Sequence, residues 1–412
     1  MKTPWYKLLG PGLLYAGAAI GVSHLVQSTR AGAEFGYGLV WAVLLANFLK
    51  YPFFEMGPRY AASTGKSLLY GYQALGKWSL YLYLIITVST MFIIQSAVTV
   101  VTAGLVSEIT GLTFDPWIIS SGLLAVCLGI LLIGKFSFLD KTMKLIILIL
   151  SVTTVVAFAF SLLGTPEQYT MYLTTFSFSD NTNVLFLIAL MGWMPAPLDI
   201  SVWHSVWAVE KSKEVNERIP LKAALLDFKI GYWGTLFLAL CFVGLGASTI
   251  YGTGIELEAS GGGFAKQLLG IYTKNLGDWS YFIIAIAAFA TMFSTTLTCL
   301  DAFPRVLSPT TQMIGNSESK NSNKLYWIWI LVVVIGTVII LSFFLTNMKT
   351  MVDFATKVAF ITSPILAILN YLVIHGKTMP KENRPGLFLK LLSWLGMTYL
   401  VGFSIYFLYL TI

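Results

Sequence analysis

Long apolar stretches separated by short polar connectors run along almost the whole chain. A helix needs about 20 consecutive apolar residues to cross the hydrocarbon core of a bilayer. Measured against that length, the sequence predicts eleven membrane-spanning helices. The predicted spans are residues 9–28, 35–58, 80–106, 116–134, 143–164, 183–208, 224–249, 279–303, 325–347, 353–375 and 388–411. The longer connectors are predicted to be loops, at 209–223, at 250–278, where we also expect a short surface helix, and at 306–324.

The first and the sixth predicted spans contain Gly, Pro and polar residues where a helix in lipid is normally apolar. In the first span these residues lie at 17–24, and in the sixth they lie at 191–199. Backbone that leaves helical geometry at membrane depth must find hydrogen-bond partners in protein, water or a bound solute. Interrupted spans at matching places in the two halves of a membrane protein therefore point to a transporter's substrate site.

The positions of the two interrupted spans also predict how the chain is organised. Equivalent positions are five spans apart, and because five is odd, the second unit must enter the membrane upside down relative to the first. We therefore predict an all-α polytopic membrane protein, formed by one transmembrane domain over residues 1–412. Its parts are a first repeat at about 9–164, an inverted second repeat at about 183–375 and an extra helix at about 388–411.

Composition and charge agree with a membrane protein. With 57% hydrophobic residues, 11% charged residues and a mean hydropathy of +0.77, the chain cannot form a soluble globule with a polar exterior. Of its 26 Lys and Arg residues, 20 fall in segments on one side of the predicted membrane and five on the other, with Lys50 inside the second span. Because basic residues are retained in the cytoplasm, the N-terminus is predicted to be cytoplasmic and the C-terminus outside.

Several other classes of protein are excluded or disfavoured. The net charge of +7 follows from this topology, so nucleic acid is not expected as a partner. The three cysteines lie in apolar spans and predict no disulfide framework. We find no nucleotide-binding or hydrolase motif, and expect neither enzymatic activity nor a cofactor. The expected partner is the lipid bilayer, and the expected location is a bacterial inner membrane, since the first span follows without a cleavable signal. The oligomeric state is left open.

Two groups of residues resemble the Nramp divalent-metal transporters. Residues 9–14 (LGPGLL) and 30–47 (RAGAEFGYGLVWAVLLAN) are similar to the opening of that family, whose first helix carries GPG and then AGA-x-FGY. In the sixth span, Met194-Pro195 and the later His204-Ser205 are similar to the family's MPH…HS helix. The resemblance implies a LeuT-like fold with broken helices 1 and 6, an eleventh helix and transport of a divalent metal ion.

The sequence departs from the family at the residues that bind the metal. Aligned from GPG to FGY, residues 21–24 stand where the family has Asp-Pro-Gly-Asn, so Gly21 replaces the ligand Asp and His24 replaces the ligand Asn. Met194 matches the metal-selective methionine, but Ala196 stands where the family has its next histidine. Residues 95–102 of the third span lack counterparts of the pairs that carry protons in the family.

We predict a cation site between the two interruptions. Imidazole, thioether and carboxylate groups suit a borderline-soft dication such as Fe²⁺ or Mn²⁺, and His24, Met194 and Asp199 are the predicted metal ligands. Asp199 could instead stabilise the start of the second half-helix through its charge. The remaining predicted binding residues are Ala18 and Met191 through their carbonyls, Gly21, Ser23, Gln27 and Asn370. We predict that His204 lines the permeation path or pairs internally, and that Asp227, Asp301 and Arg305 form either an inner gate or structural ion pairs.

Three functions are compatible with these residues. The first is secondary transport of a divalent transition metal, with Fe²⁺ or Mn²⁺ as the expected ion, by alternating access. The second is transport of a small organic solute such as an amino acid, for which the unwound segment at Gly21 would leave space and half-helix N-termini would face a carboxylate. The third is a non-transporting sensor, because a fold does not determine a function.

Overall fold

The structure, a computed structural model, describes residues 10–133, 136–163, 175–315, 322–345 and 347–411. For residues 136–147, 322 and 411 only the backbone is described. Residues at the ends of several predicted spans, and residues 316–321 of the predicted inner loop, lie outside the described part.

The described residues form α-helices joined by turns and loops, as the apolar stretches predict. The first half of the chain forms α1 Pro11–Ala19, α2 Thr29–Phe35, α3 Val40–Thr64, α4 Leu68–Leu75, α5 Lys77–Thr110, α6 Pro116–Ile133 and α7 Phe136–Ser161. The second half forms α8 Asn181–Gly192, α9 Ile200–Glu214, α10 Leu221–Thr249, α11 Gly261–Leu276, α12 Tyr281–Ile314, α13 Ser322–Phe343, α14 Met348–His375 and α15 Leu387–Thr411.

Both predicted interruptions are present. In the first predicted span, α1 ends at Ala19, and a π-helical segment, Ser23–Ser28, leads into α2. In the sixth, residues 193–199 leave helical geometry between α8 and α9. Wide helical turns of this kind are rare and often mark functional sites. The structure therefore breaks the two spans that the sequence marks as unusual.

Seven helices of the described chain are long and apolar enough to cross a membrane on length and composition alone. They are α5, α6, α10, α12, α13, α14 and α15. The interrupted spans are split into pieces that are individually too short, and α3 carries buried charged residues along its length. The count of eleven spans thus stays a prediction.

Two connectors differ from their prediction as loops. α12 continues to Ile314, so the first half of the predicted loop 306–324 is helical, with Val306 and Leu307 buried. α9 likewise continues to Glu214 into the connector predicted at 209–223. The polar side chains that suggested loops lie on helix ends instead. The short helix expected within 250–278 is α11, which packs against α5 through a buried apolar face rather than lying on the surface alone.

Glycines let the two pieces of the first span approach α10 closely. A Cβ atom on Gly12 or Gly32 would collide with the backbone of α10, and one on Gly231 or Gly246 with the backbone of α1 or α2. Small residues of this kind are favoured at helix interfaces in membranes because the backbones can come into contact. α8 packs on α14 and α9 on α3, so both interruptions are enclosed by protein.

Candidate functional site

The two interruptions touch each other at the centre of the helical assembly. The Ser23 Oγ atom lies 3.2 Å from the carbonyl oxygen of Pro195, and it also lies 2.7 Å from the carbonyl oxygen of Ala19. Ala19, Ser23 and Pro195 are all buried. The predicted juxtaposition of the two interruptions is therefore present in the structure.

His24 is buried and uses both ring nitrogens. Its Nε2 atom lies 2.9 Å from the carbonyl oxygen of Thr235 on α10, and its Nδ1 atom lies 2.7 Å from the Ser23 hydroxyl. Because a carbonyl can only accept, Nε2 carries the proton, and in a neutral ring Nδ1 accepts from Ser23. A metal ion that binds His24 through Nδ1 must therefore replace the Ser23 hydroxyl.

Lys50 is the cation closest to the carbonyl end of α8. Its Nζ atom donates to the carbonyl oxygens of Met191 at 2.7 Å and Gly192 at 2.8 Å, and it lies 5.7 Å from the centre of the Phe360 ring. The Met191 carbonyl is one of the predicted binding groups of the cation site. Lys50 is not among the predicted site residues, although it is the one basic residue that the predicted topology leaves inside a span.

Asp199 is buried at the N-terminal end of α9. Its carboxylate lies within electrostatic range of Tyr72, Tyr83 and Cys299. Its Oδ1 atom has no hydrogen-bond partner among the described residues. Asp199 thus lies at the positive end of a helix, as its alternative role requires, and its described neighbours come from α4, α5 and α12.

Gln27 belongs to a charged cluster between α2 and α14. Its Nε2 atom donates to Asp353 at 3.1 Å, and its Oε1 atom accepts from Arg30 at 2.9 Å. Arg30 also donates from Nη1 to the Asp353 carboxylate at 2.6 Å, and its guanidinium group lies 4.9 Å from the Phe186 ring centre. This cluster ties the second piece of the first span to α14. Arg30 and Asp353 are not among the predicted site residues, because they are 323 residues apart and no local pattern links them.

Asn370 is a buried residue of α14 whose side chain contacts three other helices. Its Nδ2 atom donates to Ser201 at 2.8 Å, and its Oδ1 atom accepts from the Tyr72 hydroxyl at 2.6 Å. A longer contact of 3.4 Å reaches the carbonyl oxygen of Phe53. Every described polar contact of Asn370 is therefore with α3, α4 or α9.

His204 and Asp227 line one small cavity next to the start of α1. The His204 ring stacks on Tyr15 at 5.8 Å, and neither ring nitrogen has a hydrogen-bond partner among the described residues. Asp227 accepts from the backbone amides of Gly10 at 3.3 Å and Gly12 at 2.6 Å. The carboxylate thus binds the first amides of α1, which carry partial positive charge.

Asp301 and Arg305 form the predicted ion pair one helical turn apart, at 2.7 Å. The Tyr326 hydroxyl donates to the same carboxylate. The pair lines a cavity of about 840 Å³ that shares no lining residue with the cavity at Asp227. The two groups predicted together as a gate therefore lie at two different places.

The interruption of the first span has less room than the sequence suggests. A Cβ atom at Gly21 would lie 2.9 Å from the Thr295 hydroxyl, so α12 fills the space expected beside this glycine. Met194 is fully buried beside Pro195, and Ala18 is buried one residue before the end of α1. The described chain contains no group of three or more His, Cys, Asp or Glu side chains that could hold a metal ion. The predicted metal ligands His24, Met194 and Asp199 include only one His and one Asp, and this ligand set stays a prediction.

Known proteins resemble this chain, some over almost its whole length and one over a short segment. A sequence profile described as natural resistance-associated macrophage protein-like, the Nramp family, matches residues 12–410. An uncharacterized protein of Pasteurella multocida (strain Pm70) is 34% identical over 414 residues, which is 99% of this chain and 94% of that protein. The divalent metal cation transporter MntH of Mycobacterium tuberculosis is 34% identical over 77 residues, 19% of this chain and 17% of the transporter.

The fold also matches a solved structure. A mutant manganese transporter from Eremococcus coleocola has a TM-score of 0.74 at 12% identity, over 98% of this chain and 88% of that chain. The predicted LeuT-like architecture with two broken helices is thereby confirmed, and the chain is an integral membrane protein. Because the profile covers nearly every residue, this protein belongs to the Nramp family.

Proposed function

We propose that the protein is a secondary transporter that moves a divalent transition-metal ion, Mn²⁺ or Fe²⁺, by alternating access around the two broken helices. Family membership supports this proposal, as do the metal-transporting relatives, one named for divalent metal cations and one for manganese. The observation that carries it is the contact of the two interruptions at Ser23 and Pro195, deep in the protein. Backbone freed from helices at that depth is where a dehydrated ion can find oxygen ligands.

The hydrogen bonds around His24 allow the imidazole to bind a metal at small cost. When a metal ion replaces the Ser23 hydroxyl at Nδ1, the hydroxyl can turn to the carbonyl oxygen of Ala19 or of Pro195, which already lie within reach. Meanwhile the Nε2–H group of His24 still donates to the carbonyl oxygen of Thr235 and holds the ring in place. A second hydrogen bond that orients a metal-binding histidine is the usual arrangement in metal sites.

The membrane potential can drive such transport. Each charge that moves across the membrane gains about 2.3 kcal/mol per 100 mV, so a dication gains about twice that amount. No nucleotide site is required. By the predicted topology, Arg30 with Asp353 would lie toward the outer end of the route, and Asp301 with Arg305 toward the inner end.

Uptake into liposomes tests the proposal. Purified protein is reconstituted into vesicles that contain a dye quenched by Mn²⁺, and a membrane potential that is negative inside is applied. We expect quenching faster than in protein-free vesicles, and loss of that excess in Asp199→Ala. The matched control is Asp278→Ala, which removes an exposed carboxylate. Quenching at the protein-free rate under every potential would refute metal transport.

A second candidate is transport of a small organic solute with an acidic group. The buried ammonium group of Lys50 favours it, because a positive charge beside the interruption is a suitable partner for a carboxylate. This candidate predicts flat calorimetric titrations with Mn²⁺ and Fe²⁺, together with thermal stabilisation by an amino acid or related acid. It further predicts that Lys50→Met abolishes that stabilisation.

A further inference from the structure

The side chain of Lys50 reaches from α3 to the end of α8 and places a positive charge on two backbone carbonyl groups. Both Nζ contacts are short, at 2.7 and 2.8 Å, and Lys50 is fully buried. Among the described residues no carboxylate lies within ion-pair distance of this ammonium group. Its described partners are two carbonyl oxygens and the face of the Phe360 ring.

The carbonyl end of a helix attracts cations in general. Its last carbonyl groups have no partner within the helix and carry about half a negative charge. In α8 these groups are the Met191 and Gly192 carbonyls, at the start of the interruption in the sixth predicted span. Gly192 also packs against the backbone of Thr356, so α14 closes one side of this helix end. An ammonium group and a metal ion would therefore compete for the same oxygens.

Repulsion makes the competition strong. Two cations a few ångströms apart in a protein interior repel each other by an amount that exceeds thermal energy several times. A dication that uses the Met191 carbonyl, as the sequence predicts, therefore cannot share it with the ammonium group at 2.7 Å. One of the two cations must leave.

We propose that Lys50 is a tethered cation that occupies the substrate's carbonyl ligands when the site is empty, so that a metal ion binds only by displacing its ammonium group. This proposal rests on metal transport as the function. Lys50 then sets the affinity of the site: its charge balances the partial negative charge of the two carbonyl groups when no substrate is bound, and it lowers the affinity for a metal ion that must displace it.

Metal binding by charge variants tests this role. The purified full chain is titrated with MnCl₂ in a calorimeter, as wild type and as Lys50→Met, Lys50→Arg and Lys229→Met. Methionine has nearly the length of lysine without its charge, and Lys229 is an exposed lysine on α10 whose replacement is the matched control. We expect Lys50→Met to lower the Kd for Mn²⁺ at least about tenfold, since one competing charge is removed. Lys50→Arg and Lys229→Met should not lower it.

The outcomes separate this role from the function on which it rests. A Kd in Lys50→Met that is equal to or higher than that of the wild type, with Mn²⁺ still bound by both, overturns the proposal and leaves metal transport standing. Absence of Mn²⁺ binding in all four proteins refutes metal transport, and the tethered-cation role with it.

A second measurement covers the case in which Lys50→Met fails to fold. Anomalous scattering from wild-type crystals soaked in Mn²⁺ locates the ion relative to Lys50. The proposal expects the ion at the Met191 carbonyl, with the Nζ atom moved away from both oxygens. An ion elsewhere in the protein, with Nζ still on both carbonyls, would contradict it.

Discussion

His24 shows how one buried side chain can serve both folding and substrate binding. The ring joins the π-helical segment to Thr235 on α10 through Nε2, and it leaves Nδ1 facing a hydroxyl that has other acceptors nearby. One nitrogen is thus structural and the other exchangeable. This division gives His24→Ala two separable effects.

We expect His24→Ala to abolish the excess Mn²⁺ uptake and also to lower the free energy of unfolding by about 1–3 kcal/mol, because the Thr235 carbonyl loses its buried donor. Uptake into liposomes and thermal unfolding in detergent measure the two effects. His375→Ala is the control, since that ring bonds only within its own helix in the described contacts. A destabilised variant with normal uptake would show that His24 is structural only.

Sequence reasoning at this scale succeeded for local pairs and failed for distant ones. Asp301 and Arg305 are one turn apart, so helix geometry alone predicts their contact. Lys50 and Met191 are 141 residues apart, and no periodicity in either segment indicates that they meet. The sequence does show a lysine inside a predicted span, which is unusual. Its partners are backbone carbonyl oxygens, however, and since every residue has one, the sequence does not indicate which of them Lys50 contacts.

Between elements, the Arg30–Asp353 pair is the shorter of two described ionic links from the first interrupted span to α14, the other being Lys349 with Glu34 at 3.7 Å. The Asp353 side chain is 21% exposed and that of Arg30 is 3% exposed, so the pair lies at the boundary between solvent-accessible and buried residues. Gln27 extends the same contact inward to Thr356. By the predicted topology this cluster lies toward the outer face.

We expect Asp353→Asn to increase the access of solvent to the residues behind the Arg30–Asp353 pair. A cysteine introduced as Thr356→Cys lies behind the pair. Its labelling by a charged thiol reagent should be at least about fivefold faster in Asp353→Asn, because α2 and α14 lose the shorter and more buried of their two described ionic contacts. Glu256→Gln, an exposed residue, is the control, and the three native cysteines are buried. Equal labelling rates would mean that the pair does not close the path.

The lengths of elements were less predictable than their existence. Apart from the two interruptions and some residues at span ends, the apolar stretches are helical where they are described, because a backbone in lipid must satisfy its own hydrogen bonds. The ends of α9 and α12 were misjudged, since polar residues such as Lys213 and Ser308 are compatible with both helix ends and loops. Packing of α11 on α5 also depends on contacts that a single sequence does not contain.

For the molecule as a whole, topology is the prediction most open to test. An odd number of spans places the termini on opposite sides, and the distribution of basic residues places the N-terminus in the cytoplasm. Alkaline phosphatase fused after residue 412 should therefore be active in a bacterial host, whereas a fluorescent protein at the same place should stay dark. The reverse result would indicate an even number of spans or the opposite orientation.

The Asp227 contact has a consequence for how the transport cycle would run. The acceptor belongs to α10, while its donors at Gly10 and Gly12 belong to the beginning of the chain. If α1 swings outward to release cargo into the cell, the carboxylate must exchange these amides for water at the very doorway through which the ion departs. Each opening would then present a negative charge to the departing cation, which would draw the ion from the binding site toward the doorway and, by the same attraction, delay its final release into the cell.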